Sequence, residues 1–122
     1  MNIADIQIRI HDRVVIVNVT GEVDMSNANE LRGAIIEATP NDALGLVLDF
    51  TSLDYIDSAG IHLLYRLGEN LRSRGQTLRV VIPPVSPASD ALRLAGVQRY
   101  VDVVDELEEG IRAVSAGAPQ SS

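Results

Sequence analysis

LGLVLDFTSLDYIDSAGIHLLYRL, residues 44–67, holds the strand-to-helix step on which the fold turns. Its first part, LGLVLDF at 44–50, is a continuous apolar run, the pattern of a strand covered on its faces. From Ser58 the spacing becomes helical. At 100° per residue Gly60, Leu64, Leu67 and Leu71 fall on one side, which must meet the sheet. Ser58, His62, Tyr65, Glu69 and Arg72 fall on the opposite side as one stripe. The helix is expected over 58–74, ended by Gly75. Asp57 and Ser58 both stand at its start, and the side-chain oxygen of either can accept from free backbone N–H groups as a cap.

Upstream, residues 3–10 place Ile3, Ile6, Ile8 and Ile10 between polar neighbours, the alternation of a half-buried strand. A turn at Asp12-Arg13 leads to VVIVNVTG, 14–21, whose β-branched residues read as a second strand, so an N-terminal hairpin is expected. MSNANELRGAIIEATP, 25–40, has helical spacing at Ala28, Leu31, Ile35 and Ala38, with Ser26 or Asn27 as cap. Downstream, TLRVVIP (77–83) reads as a strand. SPASDALRLAG (86–96) reads as a short helix with Ser86 as cap, Pro87 near its first position and Gly96 as stop. YVDVV adds a last short strand, and DELEEGIRAV (105–114) a final helix with acids in its first turn, where the helix dipole favours them. Strand-helix alternation after a hairpin implies parallel pairing in a mixed sheet. The expectation is one α/β domain over residues 1–115, with about four α-helices and a disordered tail at 116–122.

Composition narrows the chemistry. The 122 residues are 46% hydrophobic but only 3% aromatic, and the formal net charge is -7. All ten basic residues are arginine. Such an acidic chain, poor in stacking rings, is a weak candidate for nucleic acid. No cysteine is present, which excludes disulfides and thiolate metal sites. The start, MNIADIQIRIHDR, lacks a signal-type apolar run, and no segment approaches the roughly 20 apolar residues of a membrane span. A cytoplasmic domain is expected. TGEVD, 20–24, is not a phosphate-binding loop, and no cofactor is expected. Asp24, Asp49, Asp54 and Asp57 match no EF-hand spacing, so no metal is expected. Ser58 and His62 stand one helical turn apart, but Ile56 occupies the position where a nucleophile elbow needs glycine, so a hydrolase is disfavoured.

GEVDMSNANELR (21–32) and LVLDFTSLDYIDSAGIHLLYRL (46–67) together resemble the STAS domain of anti-sigma factor antagonists. The D-S-[small]-G-[apolar] segment at Asp57–Ile61 is the stronger mark, and G-E-[apolar]-D at Gly21–Asp24 the second. IPPVSPASDALRLAGVQRYVDVVDELEEGIRAV resembles the family's C-terminal part. The resemblance implies a STAS-like mixed sheet and a binding protein that is not itself an enzyme. It implies that Ser58 is phosphorylated by an anti-sigma factor, a serine/threonine kinase. The unphosphorylated antagonist binds that kinase and frees a sigma factor. A PP2C-type phosphatase then restores the serine. Asp24 and Asp57 would shape the site, and Glu22, Asp24, Ser58, His62, Tyr65 and Glu69 would meet the partner. Ala59 stands where the family often has a second hydroxyl. The rival expectation is a scaffolding STAS module of a stress-signalling or lipid-transport assembly, with Ser58 serving only as a helix cap.

Overall fold

The structure, a computed structural model, describes residues 4–116. Ile3 and, of the tail expected at 116–122, residues 117–122 lie outside the described residues; Ala116 is the C-cap of the last helix. The strands are β1 (Asp5–His11), β2 (Val14–Val23), β3 (Gly45–Asp49), β4 (Leu53–Ile56), β5 (Thr77–Val81) and β6 (Val103–Val104). The helices are α1 (Ala28–Ala38), α2 (Ser58–Ser73), α3 (Ser89–Leu94) and α4 (Leu107–Ser115), with a 3-10 turn at Val97–Arg99. The sheet order is β1-β2-β3-β5-β6, and β4 pairs with β2. β1 is antiparallel to β2, and every other pairing is parallel.

The hairpin turns at Asp12 and Arg13, both with positive φ (50° and 67°). Arg13 is held there because its guanidinium donates twice to the Asp42 carbonyl, at 3.0 and 2.8 Å. The alternation of β2 then divides two cores, since successive side chains of a strand point to opposite faces. Val15, Val17 and Val19 join Leu46 and Leu48 beneath α1 and α2, where Leu31, Ile35, Leu63, Leu64, Leu67 and Leu71 are buried. Val14, Ile16 and Val47 face the other way and meet Val104 and Val114, with Leu107 and Ile111 of α4 packed against them. β3 is buried along its whole length because both of its faces carry helices.

Three expectations change. LDYI at 53–56, assigned to no element from the sequence, is a strand, because the last residues of β2 run past β3 and take it as a new partner: Gly21 opposite Leu53, Glu22 opposite Tyr55, Val23 opposite Ile56. The short helix begins at Ser89, not near Pro87 after a Ser86 cap. Ser89 Oγ accepts from the Ser86 N–H and donates to the Ser86 carbonyl, which makes 86–89 a closed turn that precedes the helix. Among the described isoleucines of β1 only Ile6 is half-buried and packs against the first core; Ile8 and Ile10 are exposed.

The face of α2 that meets the sheet gives four buried leucines to the first core. Leu67→Ala, at a fully buried position, is expected to cost about 2 to 5 kcal/mol in urea unfolding, lost transfer energy plus a cavity.

Candidate functional site

Two sequence motifs are brought together by the β2–β4 pairing. Gly21 has φ 91° and stands where the register shifts, so β2 bulges there before turning to β4. The glycine of GEVD is what allows this change of partner. Past the bulge, the Val23 carbonyl accepts from the Asp57 N–H at 3.2 Å. Asp57 then closes the join from its side chain. Its Oδ1 accepts from the N–H groups of Ala59 (2.9 Å) and Gly60 (3.2 Å), and its Oδ2 accepts from the Met25 N–H at 3.3 Å.

The N-cap of α2 is therefore Asp57, and Ser58 is the first helical residue. Ser58 is exposed. Its hydroxyl makes no hydrogen bond among the described residues, so it does not serve as the cap. Gly60 sits where the first turn of α2 presses on the sheet. A Cβ there would lie 2.5 Å from Ile56 Cγ1, 2.9 Å from Ile56 Cδ1 and 3.0 Å from Val23 Cγ1. The second glycine is thus a matter of close approach, and it fixes how low the helix start sits over β2 and β4.

The opposing turn is braced by Asn27. Its side chain does not cap α1; Oδ1 accepts from the Asp24 N–H and Nδ2 donates to the Glu22 carbonyl, both at 2.9 Å. Ser26, the other expected cap, is also turned away from the helix. Its hydroxyl and N–H both donate to Asp24 Oδ1. These bonds, the Ser26 hydroxyl first and its N–H second, hold the Asp24 carboxyl below the ordinary aspartate value of 3.8. Neither Asp24 nor Asp57 hydrogen-bonds to Ser58. Asp57 bonds the first turn of α2 and the Met25 N–H, and Asp24 bonds within its own turn to Ser26 and Asn27.

The expected stripe along α2 is exposed at Ser58, His62, Glu69 and Arg72. Tyr65 departs from it. It is half-buried, with its ring 4.7 Å from that of Tyr100 and tilted by 53°, so it packs α2 against the segment before β6. No hydrogen bond joins Ser58 and His62 among the described residues. Glu22 is half-buried on β2, opposite Tyr55. Asp49 and Asp54 are elsewhere: Asp49 is buried and accepts from Thr51 and Asn18, closing the β3–β4 turn, and Asp54 is exposed on β4. No three His, Asp or Glu side chains gather as a metal site among the described residues. The motifs did not point to Met25, 83% exposed beside Asp57, or to half-exposed Tyr55 on β4. Both are among the large apolar side chains that the structure leaves exposed. Met25 could have been found by its place next to Asp24; Tyr55 could not, because its strand was not apparent.

The STAS domain family model matches residues 5–110, and the chain belongs to that family. A relative, the anti-sigma-F factor antagonist RsfB of Mycobacterium tuberculosis, is 24% identical over 108 residues, covering 88% of this chain and 86% of its own. The crystal structure of an anti-sigma factor antagonist from Mycobacterium paratuberculosis superposes with a TM-score of 0.79 at 27% identity, covering 91% of this chain and 93% of that one. The Bacillus cell fate determinant SpoIIAA in its phosphorylated form shares the fold, with a TM-score of 0.61 at 21% identity and coverage of 90% and 99%. Among the described residues no helix is long and apolar enough to cross a membrane.

Two substitutions separate the roles of adjacent residues. Asp57→Ala removes the cap and the link to Met25, and should lower stability by about 1 to 2 kcal/mol in urea unfolding. Ser58→Ala should change it by less than about 0.5 kcal/mol, as for a surface residue with no partner. Asp24 gives a pH test. Its folded-state value is depressed, so its contribution is whole above the ordinary aspartate value and is lost as pH falls through the lowered one. Between about pH 6 and about pH 3 the wild type should lose more stability than Asp24→Asn, measured by urea midpoints.

Proposed function

We propose that this domain is an anti-sigma factor antagonist that binds a serine/threonine kinase of the anti-sigma type through the surface around Ser58, and is released when that kinase phosphorylates Ser58. The observation that carries this reading is the division of labour at the start of α2. Asp57 already caps the helix, so the exposed Ser58 hydroxyl has no structural task and is open to a kinase. The likeness to antagonists, one of them solved in a phosphorylated form, supports the same reading.

Phosphorylation adds about -1.5 to -2 charges at neutral pH. The N-terminus of α2 favours an anion, which lets the fold survive the addition. The Asp57 carboxylate is already seated there, however, and Asp24 is braced across the β2–β4 join, so the dianion enters a site that is negative before it arrives. On docking it must also lose water. Where the partner offers no arginine cluster, an unpaired buried charge costs about 3 kcal/mol or more. That corresponds to about a hundredfold in affinity. Release then needs no rearrangement of the domain.

Glu22, Asp24, His62 and Glu69 form the polar part of the contact surface in this reading, with Met25 and Tyr55 as its apolar part. Tyr65 supports the surface from behind through Tyr100. The domain is a binding switch in the cytoplasm and not an enzyme. A PP2C-type phosphatase resets Ser58.

Capture of the kinase from native cells with immobilised variants tests this. Ser58→Ala should bind within about threefold of wild type and take up no phosphate, while Ser58→Asp should bind at least about tenfold more weakly. Equal binding by all three would remove the switch and leave a scaffolding module.

A further inference from the structure

We propose that two copies of this chain pair through their β1 strands, antiparallel and centred on Ile8, to form one continuous sheet. β1 is an outer strand of seven residues whose pairing, among the described residues, is with β2 alone. Its register with β2 is regular from Asp5 to His11, with no bulge. The opposite edge, β6, has two residues and offers little to pair with. Natural sheets protect a long edge with proline, charged side chains, a bulge or a covering helix. β1 contains no proline and no bulge, its charges Asp5 and Arg9 alternate with the isoleucines and so lie on the other face, and it leaves Ile8 46% and Ile10 58% exposed. An unpaired row of backbone groups beside exposed isoleucines is a template for another strand.

The sequence of the edge, DIQIRIH, favours a second copy of itself as that strand. A two-fold axis through Ile8 sets Ile6 opposite Ile10, Ile8 opposite Ile8, Gln7 opposite Arg9 and Asp5 opposite His11. The register of β1 with β2 places Ile6, Ile8 and Ile10 on the side of Val15, Val17 and Val19, so all three isoleucine pairs share the α1 face of the joined sheet. The polar pairs share the other face, and no two like charges stand directly opposite. Directly opposed apolar pairs stabilise a sheet and opposed like charges weaken it. Moving the centre to Arg9 would set arginine against arginine. A symmetric pair of this kind closes on itself and forms no filament. The edge shares no residue with the Ser58 site, which is built on β2 at Glu22 and Val23, beyond the Asp5–Thr20 pair.

Sedimentation of the full chain over a dilution series, with Ile8→Lys beside it, tests the pairing. The wild type should move from the mass of one chain toward two as concentration rises. Ile8→Lys should stay at one chain with an unchanged circular dichroism spectrum. The register is tested by cysteine, since the chain has none of its own. Ile8→Cys should cross-link to a covalent dimer under mild oxidation, because opposed side chains in a sheet are within disulfide reach. Asp5→Cys, which faces His11, should cross-link several-fold less. A wild type that keeps the mass of one chain throughout, or Ile8→Cys cross-linking no better than Asp5→Cys, would overturn the proposal.

Discussion

The site depends on one carboxylate with two duties. Asp57 spends one oxygen on the helix it starts and the other on the backbone of a loop more than thirty residues earlier. The first duty is ordinary, since aspartate is one of the preferred residues for satisfying the free N–H groups at a helix start. Together the two duties fix the first turn of α2 against the turn that carries Asp24. The neighbouring hydroxyl is thereby freed. A serine that had to cap the helix could not be modified without loss of that cap. Here the cap and the proposed acceptor are different residues, one position apart.

The two motif glycines serve the same join by different physics. Gly21 supplies a positive φ at the bulge where β2 leaves β3 and takes β4. Gly60 supplies missing volume, letting α2 descend onto Ile56 and Val23. Replacing the first strains the backbone; replacing the second overpacks the core. A stretch that reads as a list of small and acidic residues is in fact a set of separate geometric requirements around one strand pairing.

Much of this was legible before any coordinates. The apolar run at 44–50, the helical face Gly60, Leu64, Leu67 and Leu71, and the hairpin at Asp12-Arg13 each follow from periodicity, and each is present. What escaped depends on contacts distant in sequence. LDYI has a buried residue at each end and two exposed ones between, a pattern with neither alternation nor a run, and only the extension of β2 makes it a strand. Tyr65 lies on the outward stripe by angle, yet Tyr100, thirty-five positions later, covers it. Asn27 and Ser26 have the chemistry of helix caps, but the adjacent turn claims both. The isoleucines of β1 alternate as a half-buried strand should, and nothing in their own sequence tells that the core reaches Ile6 but leaves Ile8 and Ile10 exposed.

In the proposed function Ser58 switches by charge placement and not by refolding. A direct measurement compares amide NMR spectra of the unmodified domain and the domain carrying phosphoserine at position 58. Changes confined to the turn at residues 22–27 and the first two turns of α2 are the predicted result. Changes spread through the sheet and through α4, on the far face, would contradict it.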